Sequence, residues 1–222
     1  VYMSYIDELC DRRAVLKNVK IDIEKACEHM KDCYKSGNKV LICGNGGSSA
    51  DASHLTGELI KGFKKKRPID EKFEEKLKES IEDYMDKNSL SNTRILLREM
   101  KDNLEVGLPT IDITAFAGAN TAYINDKDPR FVYANSTFAL GKKGDVLLCI
   151  TTSGNSENVV NAAFVAKAVG MKVIALTGFD AGKINDIADV SMVVPINETY
   201  LIQEEHLAIY HAIALDIEEE FF

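Results

Sequence analysis

The fold is decided by the stretch Asp145-Val-Leu-Leu-Cys-Ile-Thr-Thr-Ser-Gly-Asn-Ser156, in which an apolar run ends in a hydroxyl-rich loop. The run Asp145 to Ile150 predicts a buried strand, and the residues from Asn158 to Val169 predict a helix. The loop Thr151 to Ser156 would then present backbone N–H groups and the positive end of a helix dipole to an anion. Five of its six residues carry a hydroxyl or are asparagine. One capping residue is enough to start a helix, so five polar residues are more than capping needs. The loop therefore predicts a phosphate site.

The same strand–loop–helix pattern occurs earlier in the chain. An apolar run from Lys39 to Cys43 stops at Gly44-Asn-Gly-Gly-Ser-Ser49, and a helix is expected from about Ser49 to Ile60. The glycine loop lacks the Gly-Lys-Ser/Thr of a Walker loop, and Ser49 stands where GxGxxG needs its last glycine, so a nucleotide site is not favoured. Since ligands bind at the carboxyl ends of parallel strands, we expect this loop and the hydroxyl-rich loop to face one pocket.

The remaining pattern alternates strands with helices. Further strands are predicted at Thr110–Thr114, Val173–Thr177 and Val190–Val194, and a last helix from Glu198 to about Glu219. The strands are apolar throughout, which indicates an α/β fold with a doubly wound, mostly parallel five-stranded sheet flanked by helices. Residues 1–36 are predicted to be helical. A helical hairpin is predicted at approximately 66–106, with a loop at Asn88–Asn92 between its helices. The 222 residues are interpreted as a single domain with this helical insertion.

Composition excludes several classes of function. A net charge of −8 argues against a nucleic-acid surface, which needs a basic face. No apolar run approaches the roughly 20 residues of a membrane span, and residues 1–20 are too charged for a signal peptide. We therefore expect a cytoplasmic protein with no membrane association. The five cysteines show no zinc-like CxxC spacing and are expected to be buried reduced thiols.

Two helices carry candidate catalytic side chains. His54 and Glu58 are four positions apart on one helix face, as metal ligands, an acid/base pair or a surface pair would be. Gln203 and His211 are eight positions apart on the last helix, so their tips meet only by leaning toward each other. Taken alone, His211 also fits a core histidine. His206 falls on a different face and is expected to be solvated or structural.

Together these motifs resemble the sugar isomerase (SIS) domain family, and within it the phosphoheptose isomerases. The motifs are Gly44-Asn-Gly-Gly-Ser48, His54-x3-Glu58, Thr152-Ser-Gly-Asn-Ser156 and Gln203-x7-His211. The likeness covers residues 1–62 and 107–222, and the segment at roughly 66–106 is an addition that the usual family member lacks. The resemblance implies the SIS fold and interconversion of sedoheptulose 7-phosphate with D-glycero-D-manno-heptose 7-phosphate through an enediol.

The resemblance also implies roles for individual residues. Glu58 and His211 would form the acid/base pair, and zinc would be held by His54, Glu58, Gln203 and His211. Gln203 would contact the substrate together with Asn45, Gly46, Gly47, Ser48, Asn125, Asp126, Thr151, Thr152, Ser153 and Ser156. A homo-oligomer, a tetramer or a dimer, would form the sites at its subunit interfaces. Gly62 departs from the family, which has an arginine at this position, although Lys61 lies next to it.

Two alternatives remain open. One is a non-catalytic SIS protein that binds a phosphosugar or associates with a replication initiator; such proteins lack the acid/base residues, so Glu58 and His211 favour an enzyme. The other is an isomerase of a different sugar phosphate, with the segment at 66–106 reshaping the pocket. The basic cluster Lys64–Arg67 before that segment is expected to be a solvated face.

Overall fold

A computed structural model gives the structure of the protein and describes residues 3–87 and 92–222. Its centre is a sheet with the strand order β2-β1-β3-β4-β5. Each described strand pairing is parallel, which confirms the predicted fold class and makes the sheet parallel throughout. The strands are β1 (Val40–Gly44), β2 (Thr110–Asp112), β3 (Val146–Thr151), β4 (Lys172–Thr177) and β5 (Val190–Val193).

Helices cover both faces of the sheet. They are α1 (Tyr5–Arg12), α2 (Lys20–Lys35), α3 (Gly47–Ile60), α4 (Glu71–Lys87), α5 (Thr93–Asn103), α6 (Ala117–Asp126), α7 (Val132–Leu140), α8 (Glu157–Val169) and α9 (Thr199–Phe221). Short 3-10 helices lie at Ala14–Val19, Pro129–Phe131 and Lys183–Asp186.

The strands are buried because their alternate side chains enter two separate cores. Ile42 and Leu148 enter the core shared with α1, α2, α3 and α9. Leu41 and Leu147 point the other way, into the core shared with α7 and α8. Full burial of each such side chain contributes roughly 1.5–3 kcal/mol, which explains why the central strands β1 and β3 are mostly apolar.

The N-terminal segment is broken into three helices, so the continuous helix predicted for residues 1–36 is wrong. The break lies at Arg13, whose backbone leaves the helical region with φ −122° and ψ 88°. Its guanidinium forms an ion pair with Glu205 of α9, with Nη1 2.6 Å from Oε1. Apolar spacing of three and four continues across the break, and that spacing alone cannot reveal it.

Between β1 and β2 the helices α4 and α5 pack together as a hairpin. Lys101 of α5 pairs with Glu74 of α4 at 2.6 Å. At the base of the hairpin Pro68 and Glu105 form an antiparallel bridge, and Glu105 accepts a hydrogen bond from the Gly62 N–H at 2.9 Å. Residues 88–91 of the predicted loop at 88–92 lie outside the described residues, so this prediction is not tested there. The interpretation of this hairpin as an insertion into a single domain stays a prediction.

The basic cluster Lys64–Arg67 is a solvated face only in part, and the expectation is wrong for Arg67. This side chain is 1% exposed, and its Nε donates to Glu218 Oε1 at 3.0 Å. Its two terminal nitrogens donate to the carbonyl oxygens of Leu59 and Glu58 at 2.8 and 3.2 Å. Arg67 is therefore buried because it holds the end of α3, and Glu218 balances its charge.

All five cysteines are free and buried: Cys10, Cys27, Cys33, Cys43 and Cys149. Their burial in the two cores agrees with the expected small-hydrophobe role. Across residues 3–87 and 92–222, no helix has both the length and the apolar character that a membrane span requires.

Candidate active site

Two loops meet at the carboxyl edge of the sheet. The strand β2 is added on one side of β1, and β3 and the later strands are added on the other side. Open parallel sheets bind ligands at such a switch point, which here lies between β1 and β3. Gly44 at the end of β1 stands opposite Ile150 of β3, so the glycine loop and the hydroxyl-rich loop begin side by side. Asn45 and Asn158 then exchange two amide hydrogen bonds, each 2.9 Å long. The two loops therefore lie together, as expected from the sequence.

The hydroxyl-rich loop leaves polar groups free at the start of α8. Ser156 is the N-cap residue, yet its side chain makes no capping hydrogen bond, and its Oγ lies 3.3 Å from Thr151 Oγ1. Thr152 and Ser153 line a cleft of about 130 Å³ beside the loop that follows β4. Uncapped backbone N–H groups at a helix start, with several hydroxyls close by, are suited to bind an anion.

Two residues of this loop hold its shape. Gly154 has φ +65°, and a Cβ there would collide with the carbonyl oxygen of Ala181. The Asn155 amide donates to the Ser153 carbonyl oxygen at 2.8 Å and accepts from the Lys183 N–H at 3.1 Å. The polar side chain of Asn155 is thus used within the protein.

The glycine loop brings Gln203 of α9 into the site. Gly46 opens α3 with φ 56° and ψ −120°, and no side chain caps this helix. A Cβ on Gly47 would collide with Nε2 of Gln203, so the two residues are in close contact. Ser48 is 3% exposed, and its N–H donates to the Asn45 carbonyl oxygen at 3.0 Å. The absence of a side chain at Gly47 therefore decides where the Gln203 amide lies.

His54 lies between Glu58, the candidate base, and His211, the candidate acid. Its Nε2 lies 3.2 Å from Glu58 Oε1 and 3.4 Å from His211 Nε2. The other carboxylate oxygen of Glu58 is buried and has no hydrogen-bond partner within the described residues, although Lys61 Nζ lies 3.8 Å away. Glu58, His54 and His211 therefore form one cluster, with an incompletely satisfied carboxylate.

The environment of His211 favours the neutral form of its imidazole. Burial is the main cause that lowers its pKa, and the neighbouring His54 acts in the same direction against the opposing effect of Glu58. A neutral imidazole has one N–H that donates and one nitrogen that accepts. His211 can therefore give a proton to one oxygen and take a proton from another.

Other residues singled out in the sequence lie elsewhere. Asn125 and Asp126 end α6, are exposed, and bond to each other at 2.9 Å. Within the described residues, no hydrogen bond connects either of them to the two loops or to the histidines. His206 is buried and structural, with its Nε2 3.2 Å from the Thr177 carbonyl oxygen, and burial lowers its pKa to about 4.

The backbone around Gly62 leaves no room for the arginine that the family has at this position. A Cβ there would collide with the carbonyl oxygen of Lys65. A side chain is therefore excluded at Gly62, and the cation that lies near Glu58 in this structure is Lys61.

Two residues of the cluster are not indicated by the sequence patterns. The hydroxyl of Tyr210 lies 3.1 Å from His54 Nδ1 and 3.3 Å from Asp51 Oδ1. Tyr210 occupies a core-facing position beside His211 and is typical of a packing residue. Asp51 precedes His54 by three positions, and this i, i+3 spacing is the signal that could have found it.

Three of the four residues expected to bind zinc, His54, Glu58 and His211, lie together without surrounding one point, whereas Gln203 lies against Gly47. Within residues 3–87 and 92–222, no group of three His, Cys, Asp or Glu side chains is placed to hold a metal ion. The distances from His54 Nε2 to Glu58 and His211 are 3.2 and 3.4 Å. They are close to the separation of about 3.3 Å between two ligands on a tetrahedral zinc. The donor types and the pairwise spacing fit zinc, and the side chains would have to reorient around it.

Comparisons with known proteins give a consistent group of relatives. The SIS domain matches residues 2–107 and 105–178. The chain is 37% identical over 206 residues to the phosphoheptose isomerase of Aliarcobacter butzleri, covering 93% of this chain and 89% of that one. It is 35% identical to the phosphoheptose isomerase of Glaesserella parasuis, covering 91% and 85%.

Solved structures agree with the sequence relatives. A phosphoheptose isomerase from Neisseria gonorrhoeae superposes with a TM-score of 0.71 at 32% identity, over 94% of this chain and 91% of that chain. One from Francisella tularensis superposes with a TM-score of 0.69 at 29% identity, over 98% and 100%. Sequence and fold thus indicate the same relatives.

Proposed function

We propose that this chain, which belongs to the SIS domain family, interconverts sedoheptulose 7-phosphate and D-glycero-D-manno-heptose 7-phosphate. The observation that carries this proposal is the meeting of Glu58 and His211 at His54, beside two loops suited to an anion. The similarity to phosphoheptose isomerases over most of the chain supports the same reaction.

The phosphate group is assigned to the hydroxyl-rich loop. The hydroxyls of Thr151, Thr152, Ser153 and Ser156 and the N–H groups at the start of α8 would donate to it. Such local donors are needed because the chain, with a net charge of −8, offers no general positive field. The sugar then extends past Asn45, Gly46 and Gly47 toward Gln203 and the histidines.

The chemistry divides between the carboxylate and the imidazole. Glu58 takes a proton from C1 of the ketose and returns it to C2, because its partly unsatisfied carboxylate is free to accept. Neutral His211 donates its N–H proton to the C2 carbonyl oxygen and takes the proton of the C1 hydroxyl back onto the same nitrogen, so its tautomer is restored. Both residues end in the protonation state in which they began, so the enediol forms and collapses without any other reactant.

We also propose that His54, Glu58, Gln203 and His211 bind zinc after a small reorientation of their side chains. The spacing around His54 supports this. When bound, zinc would polarise the substrate carbonyl as a Lewis acid. Metal analysis of the purified protein tests the proposal directly: one zinc per chain is expected in the wild type and a loss of zinc in His54→Ala. Equal zinc in both proteins would contradict it.

The oligomeric state and the cellular compartment are proposals of the same kind. A cytoplasmic homotetramer or dimer is proposed, with Asn125 and Asp126 contacting a sugar bound by a second copy of the chain. Their exposure and the absence of described bonds to the local loops support this assignment. Light scattering on the purified protein should give two or four chains per particle, and a monomer would contradict the proposal.

A panel of ketose phosphates tests the reaction itself. Sedoheptulose 7-phosphate, fructose 6-phosphate and ribulose 5-phosphate would each be incubated with the protein, with and without chelator, and the aldose product measured by NMR. We expect turnover of sedoheptulose 7-phosphate. Turnover of another ketose phosphate alone would instead identify an isomerase of a different sugar, and binding without turnover of any of them would identify a non-catalytic SIS protein.

A further inference from the structure

Tyr210 connects the two helices that carry the reacting side chains. Its ring is 1% exposed and packs edge-on against the His54 ring, with centroids 5.7 Å apart. The hydroxyl extends from α9 to α3, where it lies 3.1 Å from His54 Nδ1 and 3.3 Å from Asp51 Oδ1. Tyr210 thus contacts the nitrogen of His54 that faces away from Glu58 and His211.

Asp51 has little else to bind. Its Oδ2 is buried without a hydrogen-bond partner, and Tyr210 is the partner of its Oδ1 within the described residues. A carboxylate accepts hydrogen bonds and does not donate them. The single proton of the Tyr210 hydroxyl is therefore directed to Asp51, which leaves the phenol oxygen to accept from His54.

This arrangement determines which nitrogen of His54 carries the proton. If the Tyr210 oxygen accepts from His54, the proton of the imidazole must be on Nδ1. The lone pair is then on Nε2, which lies 3.4 Å from His211 Nε2. In the opposite tautomer a proton on Nε2 would point at Glu58 Oε1, 3.2 Å away, and would add a hydrogen bond to the carboxylate that takes the substrate proton.

We propose that Tyr210, held by Asp51, is a positioning residue that fixes the ring orientation and the tautomer of His54. The proposal deepens the isomerase reaction proposed above and rests on it for its kinetic consequences. The same relationship is used in metal sites and acid/base sites, where a partner on one imidazole nitrogen orients the other nitrogen toward the reacting groups.

Tyr210→Phe is the direct test, since it removes the hydroxyl and keeps the buried ring. Long-range proton–nitrogen NMR correlation on chelator-treated protein would show the tautomer of His54, and steady-state kinetics would give kcat and KM. We expect the His54 proton on Nδ1 in the wild type and on Nε2 in the variant. We expect kcat to fall by about 10- to 100-fold with KM nearly unchanged.

Tyr34→Phe is the matched control. This variant also removes a buried phenol hydroxyl, which bonds to Thr110 Oγ1 at 2.7 Å outside the site, so the His54 spectrum and kcat should not change. Asp51→Asn keeps an oxygen that accepts from Tyr210, whereas Asp51→Ala does not. We therefore expect Asp51→Asn to keep more of the wild-type kcat and tautomer than Asp51→Ala.

An unchanged His54 tautomer in Tyr210→Phe would overturn the proposal, and so would a kcat equal to that of the wild type. If Tyr210→Phe does not fold, the comparison between Asp51→Asn and Asp51→Ala decides, and equal effects of the two would overturn it. Failure of the wild type to convert any ketose phosphate would count against the isomerase reaction alone, because the NMR measurement needs no turnover.

Discussion

His54 Nε2 lies 3.4 Å from His211 Nε2, although 157 positions separate the two residues in the chain. The contact exists because α3, which begins at the glycine loop, packs against α9. Phe63 adds a ring contact to His211, with centroids 5.3 Å apart. The site therefore depends on helix packing as much as on the loops at the sheet edge.

Ser156→Ala should weaken substrate binding without destabilising the protein. The Ser156 hydroxyl makes no capping bond, so its loss costs α8 little, but a hydrogen bond to a charged phosphate is worth about 1.5–3 kcal/mol. We expect KM to rise by about 10- to 100-fold with an unchanged Tm. Kinetics and thermal unfolding of the variant check this.

Ser4→Ala is the matched control for that variant. Ser4 caps α1 by accepting the Asp7 N–H at 3.0 Å, far from the loops in sequence. Its loss should lower the free energy of unfolding by about 1 kcal/mol and leave KM unchanged. The phosphate assignment would be contradicted if Ser156→Ala behaved like Ser4→Ala.

Gly47→Ala should displace Gln203 and reduce kcat/KM. The added Cβ collides with the end of the Gln203 side chain, which is flexible and can move at small cost to stability. We expect kcat/KM to fall by at least about ten-fold, because a binding group is lost from the site. Kinetics together with the Tm distinguish this from unfolding.

Gly57→Ala gives the comparison within the same helix. A Cβ at Gly57 meets no atom within 4 Å, so the substitution should stabilise α3 by up to about 1 kcal/mol and leave kcat/KM unchanged. An equal loss of activity in Gly47→Ala and Gly57→Ala would contradict the role given to Gln203.

Acid should destabilise the protein through His206. Its pKa is lowered from 6.5 to about 4 by burial, so below pH 6.5 the unfolded chain takes up a proton that the folded chain does not. The stabilisation is therefore present above pH 6.5 and is lost as the pH falls toward about 4, with a loss of about 2 kcal/mol by about pH 5.

Denaturant unfolding of wild type and His206→Gln at about pH 7.5 and pH 5 measures this contribution. Glutamine keeps a donor for the Thr177 carbonyl oxygen but has no proton to gain. The free energy of unfolding should fall less with acid in the variant. Equal falls in both proteins would assign the acid sensitivity to other groups.

The sequence predicted the sheet well because its signals are local. A short run rich in valine such as Val190–Val194 can be recognised without its neighbours, and the strand Val190–Val193 is found there. The helix α6 was not predicted, because its glycine, alanine and asparagine residues show no apolar periodicity. The break at Arg13 was also not predicted, since the apolar spacing continues across it and the ion pair of Arg13 is with the distant Glu205.

The candidate site also combines features with local sequence signals and contacts that depend on helix packing. The glycine loop and the hydroxyl-rich loop lie where the strand–loop–helix pattern predicts them. The approach of His54 to His211 was expected only from the family resemblance, because it requires the packing of α3 on α9. Tyr210 and Asp51 could not be assigned, because their contacts are between side chains of different helices.

Replacement of Glu58 by Gln tests the central claim most directly. Conversion of sedoheptulose 7-phosphate would be followed in the wild type, in Glu58→Gln and in the exposed control Glu75→Gln, with binding of the ketose phosphate measured by calorimetry. We predict that Glu58→Gln lowers kcat by at least about 100-fold while binding is largely retained, and that Glu75→Gln behaves like the wild type. Wild-type turnover in Glu58→Gln would contradict the account, because Glu58 would then not be the group that moves the proton.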